Sequence, residues 1–215
     1  PAPTPPLPAY YLESLRSRVP TGGQISIGDP MWRGAGYAKF NMSWPSGGQT
    51  FTGTITLPDG PGPYPVVIVN HGHIPPERYW NGQDSGIFGD PLAADGFISL
   101  APHYPGYLGS GTGAPGLTTN EQIAVIDQDL ISSLASLPQA DATKVAVVGH
   151  SQGGGVSQIL MVVDPRIKAV VLIAPVASDE AENARRLAQR PGAPTPQFGD
   201  PDQNADVYRH ISPRT

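Results

Sequence analysis

The chain has no cysteine among its 215 residues. That excludes a disulfide framework, a thiol nucleophile and a thiolate metal centre together. Charge is also scarce: Asp, Glu, Lys and Arg make up 14% of the residues, and lysine stands only at positions 39, 144 and 168. With a formal net charge of −5 and no basic cluster, nothing favours nucleic acid or an anionic membrane surface as a partner. No apolar run reaches the length of a membrane span. There is no H-E-x-x-H pair, no Walker A loop and no dinucleotide fingerprint in a strand-to-helix setting. No metal and no cofactor is therefore expected.

Glycine and proline are abundant instead, at 26 each. They fall between apolar runs, as turn punctuation does, so the chain reads as one folded domain over residues 9–215. Before it stands Pro1-Ala2-Pro3-Thr4-Pro5-Pro6-Leu7-Pro8, read as an extended or disordered linker because proline fixes φ and removes backbone donors. Such tethers follow export signals, so an exported bacterial protein is the expectation, with a cytoplasmic one as the alternative.

Periodicity gives the architecture. Leu12, Leu15 and Val19 share one face of a short helix over residues 10–19. Strands are expected at residues 37–44 and 50–57, joined by Pro45-Ser46-Gly47-Gly48, with threonines alternating against apolar residues as in a half-buried antiparallel pair. The pattern then changes to continuous apolar runs: Pro65-Val66-Val67-Ile68-Val69, Phe97-Ile98-Ser99-Leu100-Ala101, Val145-Ala146-Val147-Val148 and Ala169-Val170-Val171-Leu172-Ile173. Strands buried on both faces of a parallel sheet have this composition. Between two of them, Ile123, Ile126, Leu130, Leu134 and Leu137 mark a helix over residues 119–137. Thr118 and Glu121 form its expected capping box and Pro138 its stop. Alternating strands and helices predict an α/β domain, a mostly parallel central sheet flanked by helices.

The chemistry concentrates at Gly149-His150-Ser151-Gln152-Gly153, directly behind an apolar run and ahead of a helix-compatible segment, 156–163. This is the pattern of a nucleophile elbow, a turn so tight that Gly149 and Gly153 must flank the serine. Gly154 and Gly155 let the following helix start close to the sheet. A serine hydroxyl needs a base to take its proton and donors for the oxyanion that forms. Ser151 is the expected nucleophile, and the N–H of Gln152 the first donor. The loop Asn70-His71-Gly72-His73-Ile74-Pro75-Pro76 should supply the second through the His73 N–H, with Gly72 permitting the backbone orientation and His71 holding the loop by hydrogen bonds. His150 is expected to point away from the pocket. His103 is expected to be structural, and His210 is a poor candidate for the base.

These motifs resemble those of the α/β-hydrolase superfamily, and most of all its bacterial esterases and peptidases of the prolyl oligopeptidase and dienelactone hydrolase type. The resemblance rests on the 69–76 loop, on Gly149 to Gly154, and on Ser136-Leu137-Pro138 with Asp141 ahead of the elbow strand. It implies Ser151 as nucleophile and the Gln152 and His73 amides as oxyanion hole. The chain departs from the family in having His103-Tyr104-Pro105-Gly106 where Asp-Tyr-Arg-Gly is usual. In the family two more strands follow, delivering the acid and the histidine. Here residues 168–173 are the last core strand expected, followed by a helical stretch, 179–190, and a polar run, 191–215. The resemblance therefore implies the N-terminal portion of such an enzyme, with acid and base on a C-terminal fragment that pairs along Lys168 to Ile173; Asp179 is a lesser candidate acid. The reaction expected is ester hydrolysis through an acyl-enzyme. The alternatives are a serine peptidase or amidase, and a catalytically silent binding module on the same fold.

Overall fold

The computed structural model describes residues 7–113, 120–193 and 195–214. Two sequence patterns build two halves of one sheet. The alternating half is an antiparallel meander of β1 (Ser26–Gly34), β2 (Tyr37–Ser46) and β3 (Gln49–Pro58). Gly47 and Gly48 both take positive φ, 56° and 75°, the backbone that a two-residue hairpin demands. The continuous apolar runs become β4 (Tyr64–Asn70), β5 (Ile98–Pro102), β6 (Ala140–His150) and β7 (Ile167–Ile173), which pair in parallel. The seven strands lie in the order β1-β2-β3-β5-β4-β6-β7, with β3 joined antiparallel to β5.

A strand's period of two explains why these runs are apolar throughout. Val66, Ile68, Val145 and Val147 enter one cluster, with Ile123, Leu130, Ile159 and Leu160 of α3 (Asn120–Ser133) and α4 (Gln152–Val163). Val67, Val69 and Val148 enter a second cluster on the opposite face, where Phe88 and Leu92 of α2 (Ser85–Ala94) cover them. Each such side chain contributes about 1.5–3 kcal/mol when fully buried. The helix expected over 119–137 is α3, tightened by a 3-10 turn at Leu134–Ser136; Thr118, its expected cap, lies outside the described residues.

Several expectations change. Residues 10–19 shorten to α1 (Leu12–Ser17), which buries Leu15 but leaves Val19 86% exposed. A 3-10 turn at Leu7–Tyr10 precedes α1, so regular structure starts inside the expected linker, whose first six residues lie outside those described. Two elements had no sequence signal. β1 is exposed along almost its whole length, and α2 is laced with Gly86, Gly89 and Pro91. The stretch 179–190 contains α5 (Glu180–Ala188), and the polar run contains α6 (Ala205–Ile211). Among the described residues no helix is long and apolar enough to cross a membrane.

Candidate active site

Because β4 and β6 are parallel neighbours, with Asn70 opposite Gly149, the loop after one and the turn after the other emerge side by side. Ser151 sits in that turn at φ 52°, ψ −113°, a backbone conformation that a side-chain-bearing residue adopts only when its surroundings impose it. The surroundings are a set of hydrogen bonds. The Ser151 N–H donates to the Ile173 carbonyl at 3.0 Å, and its own carbonyl accepts from Gly154 N–H at 3.0 Å and Val176 N–H at 3.1 Å. A Cβ on Gly149 would lie 2.2 Å from the Gly153 carbonyl oxygen, and one on Gly153 would lie 2.1 Å from that of Asn70. Both glycines are sterically obligatory. Gly154 and Gly155 lie close to the loop after β7: a Cβ on Gly154 would lie 2.6 Å from Pro175 and 3.4 Å from the Gly149 carbonyl oxygen of β6, and one on Gly155 would lie 2.7 Å from Val176.

Ser151 opens into a cavity of about 670 Å³ whose walls include Gly72, His73, Ile74, Trp80, Asp84 and His150. Gln152 is the first residue of α4, so its N–H has no carbonyl one turn back to bond. Its side chain turns away, donating from Nε2 to Asn120 Oδ1 at 3.2 Å. Gly72 is needed for a reason other than backbone freedom, since it is not among the positive-φ residues. A Cβ there would come within 3.1 Å of His150 Nδ1 and 3.3 Å of both Asp84 Oδ2 and Ser151 Cβ. Space between the two loops, rather than φ, selects glycine.

The 70–76 loop is held from below. His71 is buried, donates from Nδ1 to the Gly72 carbonyl at 2.7 Å and stacks on Tyr104 with ring centroids 3.8 Å apart. The Tyr104 hydroxyl donates to the His71 carbonyl at 2.7 Å, and the Tyr107 hydroxyl donates to the Ile74 carbonyl at 2.6 Å. Burial pushes the His71 imidazole down to about 4, which suits a support and not a base. His103 is likewise structural, as expected. It accepts at Nδ1 from the Thr52 hydroxyl and donates from Nε2 to Asn81 Oδ1, at 3.0 and 2.8 Å. Burial pushes it to about 4 as well.

His150 corrects the sequence reading. It lines the cavity beside Ser151 and donates from Nδ1 to Asp84 Oδ2 at 2.8 Å. Alternation of side chains holds along an extended strand, and the φ of Ser151 breaks that geometry at the next residue. His210 stacks on Tyr11 at 4.5 Å and meets Glu13 at 3.2 Å, and it takes no part in the cavity wall. Asp179 is occupied too: it caps α5 through Ala181 and Glu182 N–H and pairs with Arg214. Among the described residues, no hydrogen bond reaches the Ser151 hydroxyl. The sequence reading missed Asp84 and the Lys39–Asp90 pair (2.5 Å), which also line the cavity. Gly82-Gln83-Asp84-Ser85-Gly86 reads as an ordinary loop, and no local signal marks it.

Comparison with known proteins bears on the family and the fold. Residues 66–214 match the family described as "Alpha/beta hydrolase family". Among curated proteins, Esterase FrsA of Klebsiella pneumoniae (strain 342) is 29% identical over 132 residues, covering 60% of this chain and 30% of that protein. The uncharacterized protein PA2218 of Pseudomonas aeruginosa is 31% identical over 94 residues, covering 41% and 24%. The chain thus spans about a quarter to a third of the length of the curated relatives it matches. Among solved structures, the acetyl xylan esterase from Paenibacillus sp. R4 superposes with a TM-score of 0.65 at 20% identity, over 94% of this chain and 70% of the other. Acetyl xylan esterase 1 from Thermoanaerobacterium sp. JW/SL YS485 gives 0.59 at 19%, over 97% and 68%. At these identities the two structures speak for the fold.

Proposed function

Because the chain belongs to the alpha/beta hydrolase family, we propose that it cleaves carboxylic esters by a serine mechanism. The Ser151 hydroxyl oxygen attacks the ester carbonyl while a base takes its proton. The tetrahedral oxyanion is held by the N–H groups of Gln152 and His73. Collapse expels the alcohol, which takes the proton back, and leaves an acyl group on Ser151. Water, activated by the same base, releases the acid and restores the hydroxyl. The histidine base and its acid come from a C-terminal segment that pairs alongside β7. Export is part of the reading, on the strength of the proline-rich opening.

The observation that carries this is the backbone of Ser151 at φ 52°. The hydrogen bonds of the turn hold that conformation, and Ser151 lines the cavity. The names of relatives, an esterase and two acetyl xylan esterases, favour ester over amide substrates.

The test is Ser151→Ala in the full-length enzyme with an aryl ester as substrate. Turnover should fall by about 10³-fold or more, leaving only oxyanion-hole catalysis. Thermal stability should hardly change, because alanine fits wherever serine does. Wild-type turnover in the variant would overturn the mechanism. An aminoacyl anilide cleaved in preference to the ester would move the reading to a peptidase. A fluorophosphonate that fails to label Ser151 would move it to a silent binding module.

A further inference from the structure

Asp84 is built against its own local preferences. It occupies the N-cap position of α2, where an aspartate ordinarily accepts from the helix's free N–H groups, yet its side chain makes no such bond. Its backbone stands at φ 65°, ψ −54°, in the positive-φ range that a residue with a Cβ enters only under constraint. Both features turn the carboxylate out of its helix and toward the cavity. There Oδ2 accepts two hydrogen bonds, from the Gly72 N–H at 2.6 Å and from His150 Nδ1 at 2.8 Å. Gly72 precedes His73, the second oxyanion donor in the reading above, and His150 precedes Ser151, its nucleophile.

We infer that Asp84 is a positioning residue, a carboxylate clamp that fixes the oxyanion loop against the nucleophile elbow. The inference rests on the proposed serine mechanism. One oxygen atom joins the residue before the donor to the residue before the nucleophile. The two loops belong to different strands, and the clamp ties them directly in addition to the contact of Asn70 with Gly153. Because the Gly72 N–H is engaged with Asp84, it is not free to serve as an oxyanion donor, leaving that task to the His73 N–H. An anionic acceptor makes the stronger kind of hydrogen bond. A positional error of about 1 Å between nucleophile and donors is enough to cost about 10²-fold in rate.

The experiment uses the full-length enzyme with Asp84→Gly and Asp84→Asn, beside Ser151→Ala. Glycine accepts φ 65° without strain, so Asp84→Gly should melt at or above the wild-type temperature. Its kcat should nevertheless fall roughly tenfold to a hundredfold, with KM within about threefold, because the loss is in the transition state. Asp84→Asn keeps a neutral acceptor for Gly72 and should recover part of that kcat. Combining His150→Ala with Asp84→Gly should cost little more than Asp84→Gly alone, as expected of partners in one contact. A kcat within about twofold of wild type in both Asp84 variants would overturn the clamp. So would a large drop in melting temperature in both, which would make the carboxylate a stability element. The two readings fail separately. An active Ser151→Ala sinks the serine mechanism, whereas an inactive Ser151→Ala beside a fully active Asp84→Gly sinks the clamp alone.

Discussion

The two edge strands of the sheet are opposites. β1 carries Asp29, Pro30 and Arg33, and its register with β2 is irregular on both sides of Pro30. Charge, proline and irregular pairing are the devices by which proteins keep an exposed edge from pairing with another strand. β7 has Lys168 and one irregularity in its pairing with β6 at that residue, and beyond it neither charge nor proline. Its sequence is Ile-Lys-Ala-Val-Val-Leu-Ile, it pairs only with β6 among the described strands, and Val171 and Leu172 are 52% and 37% exposed. One edge is finished for solvent, and the other has the composition of a strand covered on both faces. The difference has a direction. β7 is the neighbour of β6, the strand that ends in the elbow. The bare edge therefore lies on the side from which the proposed mechanism still needs a base. On the β4 side, Gly72, His71, Tyr104, Tyr107 and Asp84 already hold the site in place.

If the β4 side is indeed complete, disturbing it should cost catalysis at once. Gly72→Val puts a branched side chain into the space that His150, Asp84 and Ser151 share, so the expected loss is about 2–4 kcal/mol of transition-state stabilisation, the value of one oxyanion donor. Steady-state kinetics on the full-length enzyme should show it in kcat. Unchanged kinetics would count against the proposed oxyanion hole at His73.

The edges themselves can be compared by placing one charge on each. Val171→Lys should lower esterase activity roughly tenfold, about 1.4 kcal/mol, by opposing whatever strand covers β7. Ile27→Lys, at 42% exposure on β1, should leave activity within about twofold, as surface changes normally do. Size-exclusion chromatography of the chain 1–215 alone should show self-association, reduced by Val171→Lys and not by Ile27→Lys. Equal behaviour of the two variants would remove the distinction between the edges.

The apolar strands and the glycine-flanked turn are the parts legible in the sequence. Continuous apolar runs identify β4 to β6 because burial on both faces leaves little room for polar residues; β7 is legible from the same composition, although none of its residues is buried as that composition led one to expect. The elbow is legible because only glycine fits at 149 and 153. β1 escaped notice for the same physical reason that makes it a safe edge: almost nothing in it is buried, so burial imposes no pattern. α2 was hidden by Gly86, Gly89 and Pro91, and Gly89 is there to pass Ser99, whose hydroxyl would lie 2.3 Å from a Cβ. His150 and Asp84 could not be placed from sequence, because each depends on a positive φ, at Ser151 and at Asp84 itself, that composition does not announce. The family resemblance pointed to Ser151 and to the 69–76 loop, and said nothing of the carboxylate between them.

The smallest effect expected is a pH dependence of stability, and it tests whether the interior under the finished side is as settled as its hydrogen bonds suggest. His71 and His103 are pushed by burial to about 4, below the value near 6.5 that they take in the unfolded chain. Between those values the unfolded chain binds more protons, so their contribution to stability is present above 6.5 and is lost as pH falls toward 4. Asp127, wholly buried on α3 with neither oxygen hydrogen-bonded among the described residues, is pushed up to about 7 by burial, with Asn70 offsetting only part. It acts in the opposite sense. Its folded form holds a proton that the unfolded chain releases near 4, so its contribution is present in acid and lost as pH rises through 7. Replacing Asp127 with Asn removes that opposing term. The variant should melt higher than wild type at pH 8, by roughly 1 kcal/mol or a few degrees, and the advantage should shrink steadily toward pH 4. Differential scanning calorimetry at pH 4.5, 6 and 8 reads this directly. A pH-independent difference would mean that Asp127 does not change its protonation on folding and stays ionised in the core as it is in the unfolded chain.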